Sequence, residues 1–372
     1  MSEVPTSARV LGAIGRGLIT AGIVILLFVL FQLWGTNVQE SRAQDDLRDE
    51  FGNIEVSVAD ALAQLDALQN PDGGQVIDAG DRDLGQLPAP TTTTTLPGGL
   101  TTELLRYFFP EDGDAVARIE IPAIDVDKIV VNGVQVADLR KGPGHYATTA
   151  TAGTVGNTAI AGHRTTYGAP FNRIDELAPG DEIRVTSVLG TFTYRVMEPS
   201  VAFPDELATV DDADDGHIIV RPADTWVLGD FGDNRVTLTA CHPKLSSRQR
   251  IIVAAALVED PVESPALDPD VVAALGGDPT DATLPGETTG APDSDAEPAN
   301  LDEGLNGERD AIPGAVVWML AATTIWVLAG HLGRHLFSDR LRRVAVRAVS
   351  LVPVALCLWF SFELLDRALP AG

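Results

Sequence analysis

Cysteine is almost absent from this chain. It occurs twice, as Cys241 and Cys357, and the second lies inside an apolar run near the C-terminus. A disulfide framework is therefore excluded, and cysteine usage says nothing about the redox compartment. Lysine is nearly absent too, standing only at Lys128, Lys141 and Lys244. Arginine supplies most of the positive charge, and 26 basic against 53 acidic residues leave a formal net charge of -27. Phosphate backbones are bound by clustered cations, so this balance excludes nucleic acid as a partner. No internal repeat is visible in the 372 residues, a length for one or two domains plus flanking segments.

Three apolar runs are present. Residues 1–17 carry Arg9 and Arg16 against Glu3, and residues 18–36 follow as a run broken by few polar side chains. Roughly 17–20 apolar residues match the hydrocarbon thickness of a bilayer. A secretory signal peptide would be shorter and would end on a small-x-small cleavage site. Phe31-Gln-Leu-Trp34 supplies no such site, so the run is expected to be an uncleaved anchor. Residues 312–332 and 348–366 are the other two runs. Between them, residues 333–347 hold Arg334, Arg340, Arg342, Arg343 and Arg347. Two buried core helices are the alternative, but their length and the charge between them favour a membrane hairpin. The positive-inside rule puts both arginine clusters in the cytoplasm, which places residues 37–311 outside. A multi-pass plasma-membrane protein with its folded domain on the extracytoplasmic face is expected.

The segments around that domain resemble linkers. Residues 37–114 begin acidic and polar, with a weak helical pattern at Leu62, Leu65 and Leu68. They continue into Leu87-Pro-Ala-Pro-Thr-Thr-Thr-Thr-Thr-Leu-Pro-Gly-Gly99. Such a composition stays extended and buries no core, so it is expected to act as a stalk holding the domain away from the membrane. Residues 259–311 repeat the pattern in Pro, Asp, Gly and Thr and are expected to be disordered.

Residues 115–258 carry the core. Strand-like segments at 116–121, 128–132, 158–162, 182–188, 191–197, 235–241 and 250–258 alternate with turn signals. Leu189-Gly190 separates two of them as a hairpin turn. Residues 134–140 and 174–177 are expected as short helical turns. Many short strands with few helices mean a mainly β domain, a small barrel or a sandwich.

Chemistry concentrates at Thr237-Leu-Thr-Ala-Cys241. A lone thiol with polar, cationic neighbours is a nucleophile candidate, because a thiolate needs positive charge nearby. The alternative is an inert core cysteine. Four histidines lie in the domain: His145, His163, His217 and His242. His163 ends a predicted apolar strand beside Gly162, where an imidazole can face a cleft as general acid or base. Arg250 opens the last strand, and a guanidinium there would favour the thiolate or stabilise an oxyanion. Arg248 is a rival on the same face, and alternation does not choose between them. Zinc on His163, Cys241 and His242 is disfavoured, since adjacent residues are poor joint ligands. The acidic run Asp211–Asp215 has oxygen donors for calcium, but a solvated loop is the simpler reading. No cofactor and no metal is expected.

Thr237-Leu-Thr-Ala-Cys241 resembles the Thr-Leu-x-Thr-Cys signature of sortases. Arg250-Ile-Ile-Val253 is similar to the arginine-led strand that follows it in that family, which selects Arg250 over Arg248. Asn157-Thr-Ala-Ile-Ala-Gly-His163 is similar to the segment carrying the family's catalytic histidine. Ala161-Gly-His-Arg-Thr-Thr-Tyr-Gly-Ala-Pro-Phe171 and Cys241-His-Pro-Lys244 are most like the actinobacterial class E enzymes. Ala240 departs from the pattern, standing where the family usually has Thr; a modified rate is expected from it. The resemblance implies a closed β-barrel and a membrane-anchored cysteine transpeptidase with Cys241, His163 and Arg250 as its catalytic residues. It implies cleavage of a Leu-Ala/Pro-x-Thr-Gly sorting signal between Thr and Gly through a thioester. The acyl group would pass to an amine of a cell-wall precursor or a pilin. The implied partners are secreted proteins bearing a C-terminal sorting signal, that amine, and the membrane. Other thiol acyltransferases need different spacing, with a His closely preceding the Cys or a Cys at a helix start. A membrane-tethered binding or scaffold domain with a vestigial site is the non-enzymatic alternative.

Overall fold

The computed structural model describes residues 6–69, 110–204, 212–214, 216–262, 301, 308–336 and 338–369. The Pro/Thr run and most of the second linker lie outside the described residues.

Ten strands form one sheet: β1 Ala115–Ile121, β2 Val126–Asn132, β3 Gly144–His145, β4 Asn157–Ala161, β5 Glu182–Ser187, β6 Gly190–Val196, β7 Asp212–Asp214, β8 His217–Val220, β9 Arg235–His242 and β10 Gln249–Leu257. The order β6-β5-β1-β2-β3-β4-β9-β10 returns on itself, because β10 also pairs with β6. Closure removes the free edges that would otherwise invite intermolecular pairing. Of the barrel and the sandwich that the strand pattern left open, the closed barrel implied by the resemblance is the fold observed. Strand β10 divides its outer edge: Arg250–Ile252 pair with β8, while Ala255–Leu257 pair with β6. The β7–β8 hairpin therefore hangs outside the barrel. The expected strands are all present with slightly shifted ends; β3, β7 and β8 were not anticipated.

Alternation separates two cores. Inside the barrel lie Ile119, Ile121, Ile160, Val185, Tyr194, Leu238, Ala240, Ile251 and Val253. Outside it, Ala159, Ala161, Cys241, Ile252 and Ala254 pack with Phe203, Ile218, Val220 and Val227. Strands β4, β9 and β10 are buried on both faces. That is why they read as nearly continuous apolar runs, unlike the half-exposed β5 and β6.

Short helices α3 Val136–Leu139 and α4 Pro199–Ala202 decorate the domain. Around it are the long helices α1 Thr6–Leu30, α2 Thr36–Gln69, α5 Ile312–Leu336 and α6 Arg340–Ala368. One π turn, Phe31–Gly35, joins α1 to α2. Among the described residues, three helical stretches are long and apolar enough to cross a membrane: Gly17–Asn53, Arg309–Leu336 and Arg340–Ala368. They pack on one another. Phe31 meets Trp359 edge-on at 5.0 Å and Phe28 meets Phe362 at 5.3 Å, while Trp318 stacks on Phe360 at 5.0 Å.

The expected stalk, Leu87–Gly99, lies outside the described residues, but the acidic stretch before it is a docked helix. Residues 36–69 are helical, and α2 packs directly on the barrel. Leu47 and Phe51 share a buried cluster with Ala115, Ile129 and Val131. Gln44 donates to the Ile129 and Lys141 carbonyls and accepts from the Ile129 amide, and Glu40 pairs with Lys128 at 2.5 Å. The acidic composition suggested solvation. Instead, one face of a helix already nucleated by the apolar run before it carries the few side chains that dock.

Candidate active site

Cys241 lies at the end of β9, and its register partner across the ladder is Arg250 at the start of β10. Directly opposed residues of an antiparallel pair present their side chains on the same face. The face is the outer one, because Ala240 and Ile251 point into the barrel. Parallel pairing brings β4 to the other side of β9, with Ala161 opposite Thr239 and the Gly162 amide donating to the Thr239 carbonyl at 3.0 Å. Two further residues on each strand bring His163 level with Cys241. Alternation through Ala159 and Ala161 gives His163 the same outer face. The three residues expected at the site thus converge on one strip of the sheet. All three are buried: Cys241 and Arg250 are fully enclosed, and His163 is 2% exposed.

Local sequence explains the convergence. At Gly162 an added Cβ would lie 2.6 Å from the Phe171 ring, so only glycine lets the backbone pass beneath that ring and deliver the next side chain. After His163 the chain folds back. The Phe171 amide donates to the His163 carbonyl at 3.0 Å, and the Asn172 side chain donates to the Arg164 carbonyl at 2.5 Å. The turn is tight enough that Tyr167, Gly168 and Ala169 all take positive φ, of 50°, 70° and 42°. It brings the Tyr167 ring to 5.4 Å from the His163 ring.

Arg250 is held by main-chain oxygens. Its Nη1 donates to the carbonyls of Ser247 at 2.7 Å and Gln249 at 2.9 Å, and its Nε donates to that of Leu301 at 3.0 Å. Arg248 precedes β10 and has no partner in its ladder with β9; it lines a cleft that adjoins the histidine loop, with Lys244, Thr166 and Tyr167.

Several residues at the site had no signal that singled them out. Arg164, 1% exposed, spans from the histidine loop to the cysteine strand. Its Nη1 lies 3.5 Å from the Cys241 carbonyl and 3.3 Å from His242 Nδ1, and its Nη2 pairs with Asp175 at 2.7 Å. Burial works to raise the Asp175 pKa, but the hydrogen bond and charge of Arg164 outweigh it and hold the carboxyl below its ordinary 3.8. Leu301, from the last part of the second linker, is fully buried in the cluster that contains Cys241. Position 240 faces the barrel core. The departure there reaches the thiol only through packing, since the side chain points away from it. No cluster of metal-ligating side chains occurs among the described residues. Asp212–Asp214, from the acidic run considered for calcium, form strand β7 against His217–Ile219. His145 lies apart, its Nε2 3.0 Å from the Ala150 carbonyl.

The arrangement offers a thiol, an imidazole and a fixed guanidinium on one enclosed face. That is the equipment of acyl transfer by a covalent route. The family model of the sortase domain matches residues 119–258. Sortase SrtE1 of Streptomyces coelicolor is 29% identical over 261 residues, covering 67% of this chain and 57% of that protein. Sortase D of Bacillus subtilis is 34% identical over 103 residues, covering 28% of this chain and 50% of its own length. The chain thus spans a little over half the length of these curated relatives. Among solved structures, sortase E from Streptomyces avermitilis is 34% identical, with 40% of this chain and 91% of that one covered and a TM-score of 0.32.

Proposed function

The barrel of residues 119–258 belongs to the sortase family of cysteine transpeptidases, and from that premise we propose that this chain cuts a sorting signal at Cys241 and transfers it to an amine. Cys241 attacks the carbonyl carbon of the Thr–Gly bond in a Leu-Ala/Pro-x-Thr-Gly signal. The carbonyl π electrons move to oxygen, and Arg250 stabilises the developing oxyanion or holds the substrate threonine. Collapse expels the glycine amine, which takes its proton from His163 and leaves a thioester on Sγ. An incoming amine then attacks that thioester and gives its proton to His163. The new amide forms as the thiolate leaves. The observation that carries this reading is the pairing of Cys241 with Arg250 across β9 and β10, with His163 two residues beyond the end of the neighbouring β4.

The donors are secreted proteins bearing a C-terminal sorting signal. The acceptor is an amine of a cell-wall precursor or the lysine of a pilin. The three apolar helices anchor the chain in the plasma membrane with the barrel outside. The ends that meet the barrel support this topology. Asn37 after the first run and Asp366 at the end of the third both bond to the histidine loop, and Glu308 before the second bonds to Arg367. The arginine-rich turn lies at the other end of the hairpin.

A fluorogenic Leu-Ala-x-Thr-Gly peptide incubated with the full-length chain in detergent tests the proposal. Cleavage between Thr and Gly is expected, with transfer when an amine is added. Cys241→Ala is expected to abolish both; cleavage that survives this change would sink the assignment.

A further inference from the structure

A buried polar cluster joins the barrel to the last membrane helix. Asp366 stands near the C-terminal end of α6 and is 8% exposed. Its carboxylate accepts from Arg140 Nη2 at 3.2 Å and from the hydroxyl of Tyr167. The Arg140 guanidinium also lies 5.1 Å from the centre of the Tyr167 ring, and Arg367 adds a second positive charge acting on Tyr167. Arg140 and Tyr167 are as buried as Asp366.

Such a cluster is costly to assemble. Taking a carboxylate and a guanidinium out of water costs several kcal/mol per ion before their attraction returns it. A buried ion pair is therefore weak ground for stability, and orientation is the better-attested use. What it orients is visible four residues upstream. Tyr167 sits in the left-handed turn described above, a conformation that disfavours a bulky side chain. Its hydroxyl is fixed by Asp366 and its ring lies beside the imidazole of His163. The next residue is fixed from the other side. The Gly168 amide donates to Asn37 Oδ1 of α2 at 3.0 Å, and a Cβ on Gly168 would lie 2.5 Å from Glu40 Oε2. The histidine loop is thus held between the ends of two apolar helices.

We propose that Asp366 is a positioning residue for His163, acting through Tyr167, so that the C-terminal membrane hairpin is a working part of the catalytic unit. Asp366 acts on the imidazole through the Tyr167 side chain that it bonds. It holds the phenol, and the ring limits the angles open to the imidazole that must deliver a proton to the leaving amine. Burial and then the nearby carboxylate push the Tyr167 phenol above its ordinary 10, so the residue serves as a neutral donor to Asp366. The inference rests on His163 being the general acid and base proposed above.

The test uses the full-length chain in detergent, with Asp366→Ala, Asp366→Asn, Tyr167→Phe and the double variant Tyr167→Phe/Asp366→Ala. Turnover is expressed per Cys241 titrated by a small thiol reagent, so unfolded protein does not count. Asp366→Ala and Tyr167→Phe are each expected to lower kcat by about tenfold with KM within about twofold, the size of effect that modest misplacement of a catalytic group produces. The double variant is expected to fall no further than the singles, because the two act as one unit. Asp366→Asn still accepts the phenol's hydrogen bond and is expected to keep part of the rate. A second readout needs no turnover: the pH dependence of Cys241 alkylation. Its midpoint is expected to move by about half a unit in Asp366→Ala and Tyr167→Phe alike. Unchanged kcat and an unchanged alkylation profile would overturn the proposal, as would additive losses in the double variant. If the wild-type chain cleaves no peptide, the transpeptidase reading fails, and the alkylation profile still decides whether Asp366 governs His163.

Discussion

Arg250 Nε donates to the carbonyl of Leu301 at 3.0 Å. The guanidinium proposed to hold substrate is therefore already bonded to the chain's own backbone. Leu301 is fully buried in the cluster that contains Cys241, which makes the described site a closed one. A peptide that is to bond Arg250 through Nε must displace this contact. Burial of a leucine side chain is worth about 1.5–3 kcal/mol. Leu301→Gly is accordingly expected to raise kcat/KM for peptide cleavage by about three- to tenfold, less than the full burial energy because the linker still competes. A rate that is unchanged or lowered would show that Leu301 supports the site instead of covering it.

Gly162 bears on the same chemistry from the other strand. Its substitution by alanine would set a Cβ 2.6 Å from the Phe171 ring, and both neighbours are enclosed. Overpacking of this kind costs about 1–3 kcal/mol. Gly162→Ala is expected to lower the melting midpoint and to cut kcat further than stability alone explains, since the displaced backbone carries His163. The companion Gly162→Ala/Phe171→Leu should recover much of both. A Gly162→Ala protein with wild-type kcat would contradict the close approach.

Asp175 holds Arg164 from the solvent side. The carboxylate is 40% exposed while the guanidinium is 1% exposed, so solvent screens the pair and the net loss on Asp175→Asn is expected to be about 1 kcal/mol. The pH signature is more specific. A folded pKa below the ordinary 3.8 means the unfolded chain binds the proton more readily. The stabilisation is complete above 3.8 and is lost as pH falls through the folded value. Melting curves between pH 5 and pH 2.5 should fall more gently in Asp175→Asn than in the wild type. Parallel curves would remove Asp175 from the account of acid stability.

His145 acts in the same direction at higher pH. Burial dominates over its bond to the Ala150 carbonyl and brings its pKa down from 6.5 to about 4. Between those values the folded imidazole stays neutral while the unfolded one is protonated. Stability is thus full above 6.5 and declines as pH drops toward 4. His145→Gln is expected to flatten the melting midpoint across that window while leaving its value above pH 7 less affected. An equally steep decline in the variant would assign the pH dependence to other groups.

Much of the site was legible because strands obey a period of two. A thiol at 241, an imidazole at 163 and a guanidinium at 250 are each recognisable alone, and alternation with register brings them to one face. The choice of Arg250 over Arg248 came from the resemblance; in the ladder Arg250 is the register partner of Cys241. Ala240 has the opposite parity and lies in the barrel core, so a departure that reads as adjacent to the nucleophile belongs to a different surface. Other features carry no periodic signal. Strand β3 has two residues, too few for alternation to register. Leu301 is one of several leucines in a polar linker and has no periodic neighbours to mark it. Asp366 resembles any charged residue at the end of an apolar helix, and its partner Tyr167 is 199 positions away. Contacts at that separation follow from how the elements stack, which no local pattern encodes.

The docking of α2 and α6 has a consequence for the two long connections. Residues 70–109 leave a helix fixed to the barrel through Leu47 and Phe51 and re-enter it at β1. Residues 263–307 leave the barrel after β10, touch it at Leu301, and end where Glu308 bonds to Arg367. Both are closed circuits whose ends are pinned, so neither sets how far the site can travel. Lengthening such a circuit adds only about 0.6 kcal/mol of closure entropy per doubling and no reach. In the proposed membrane topology the thiol would stay at one fixed height above the bilayer, and its search for substrate would be a lateral one in two dimensions.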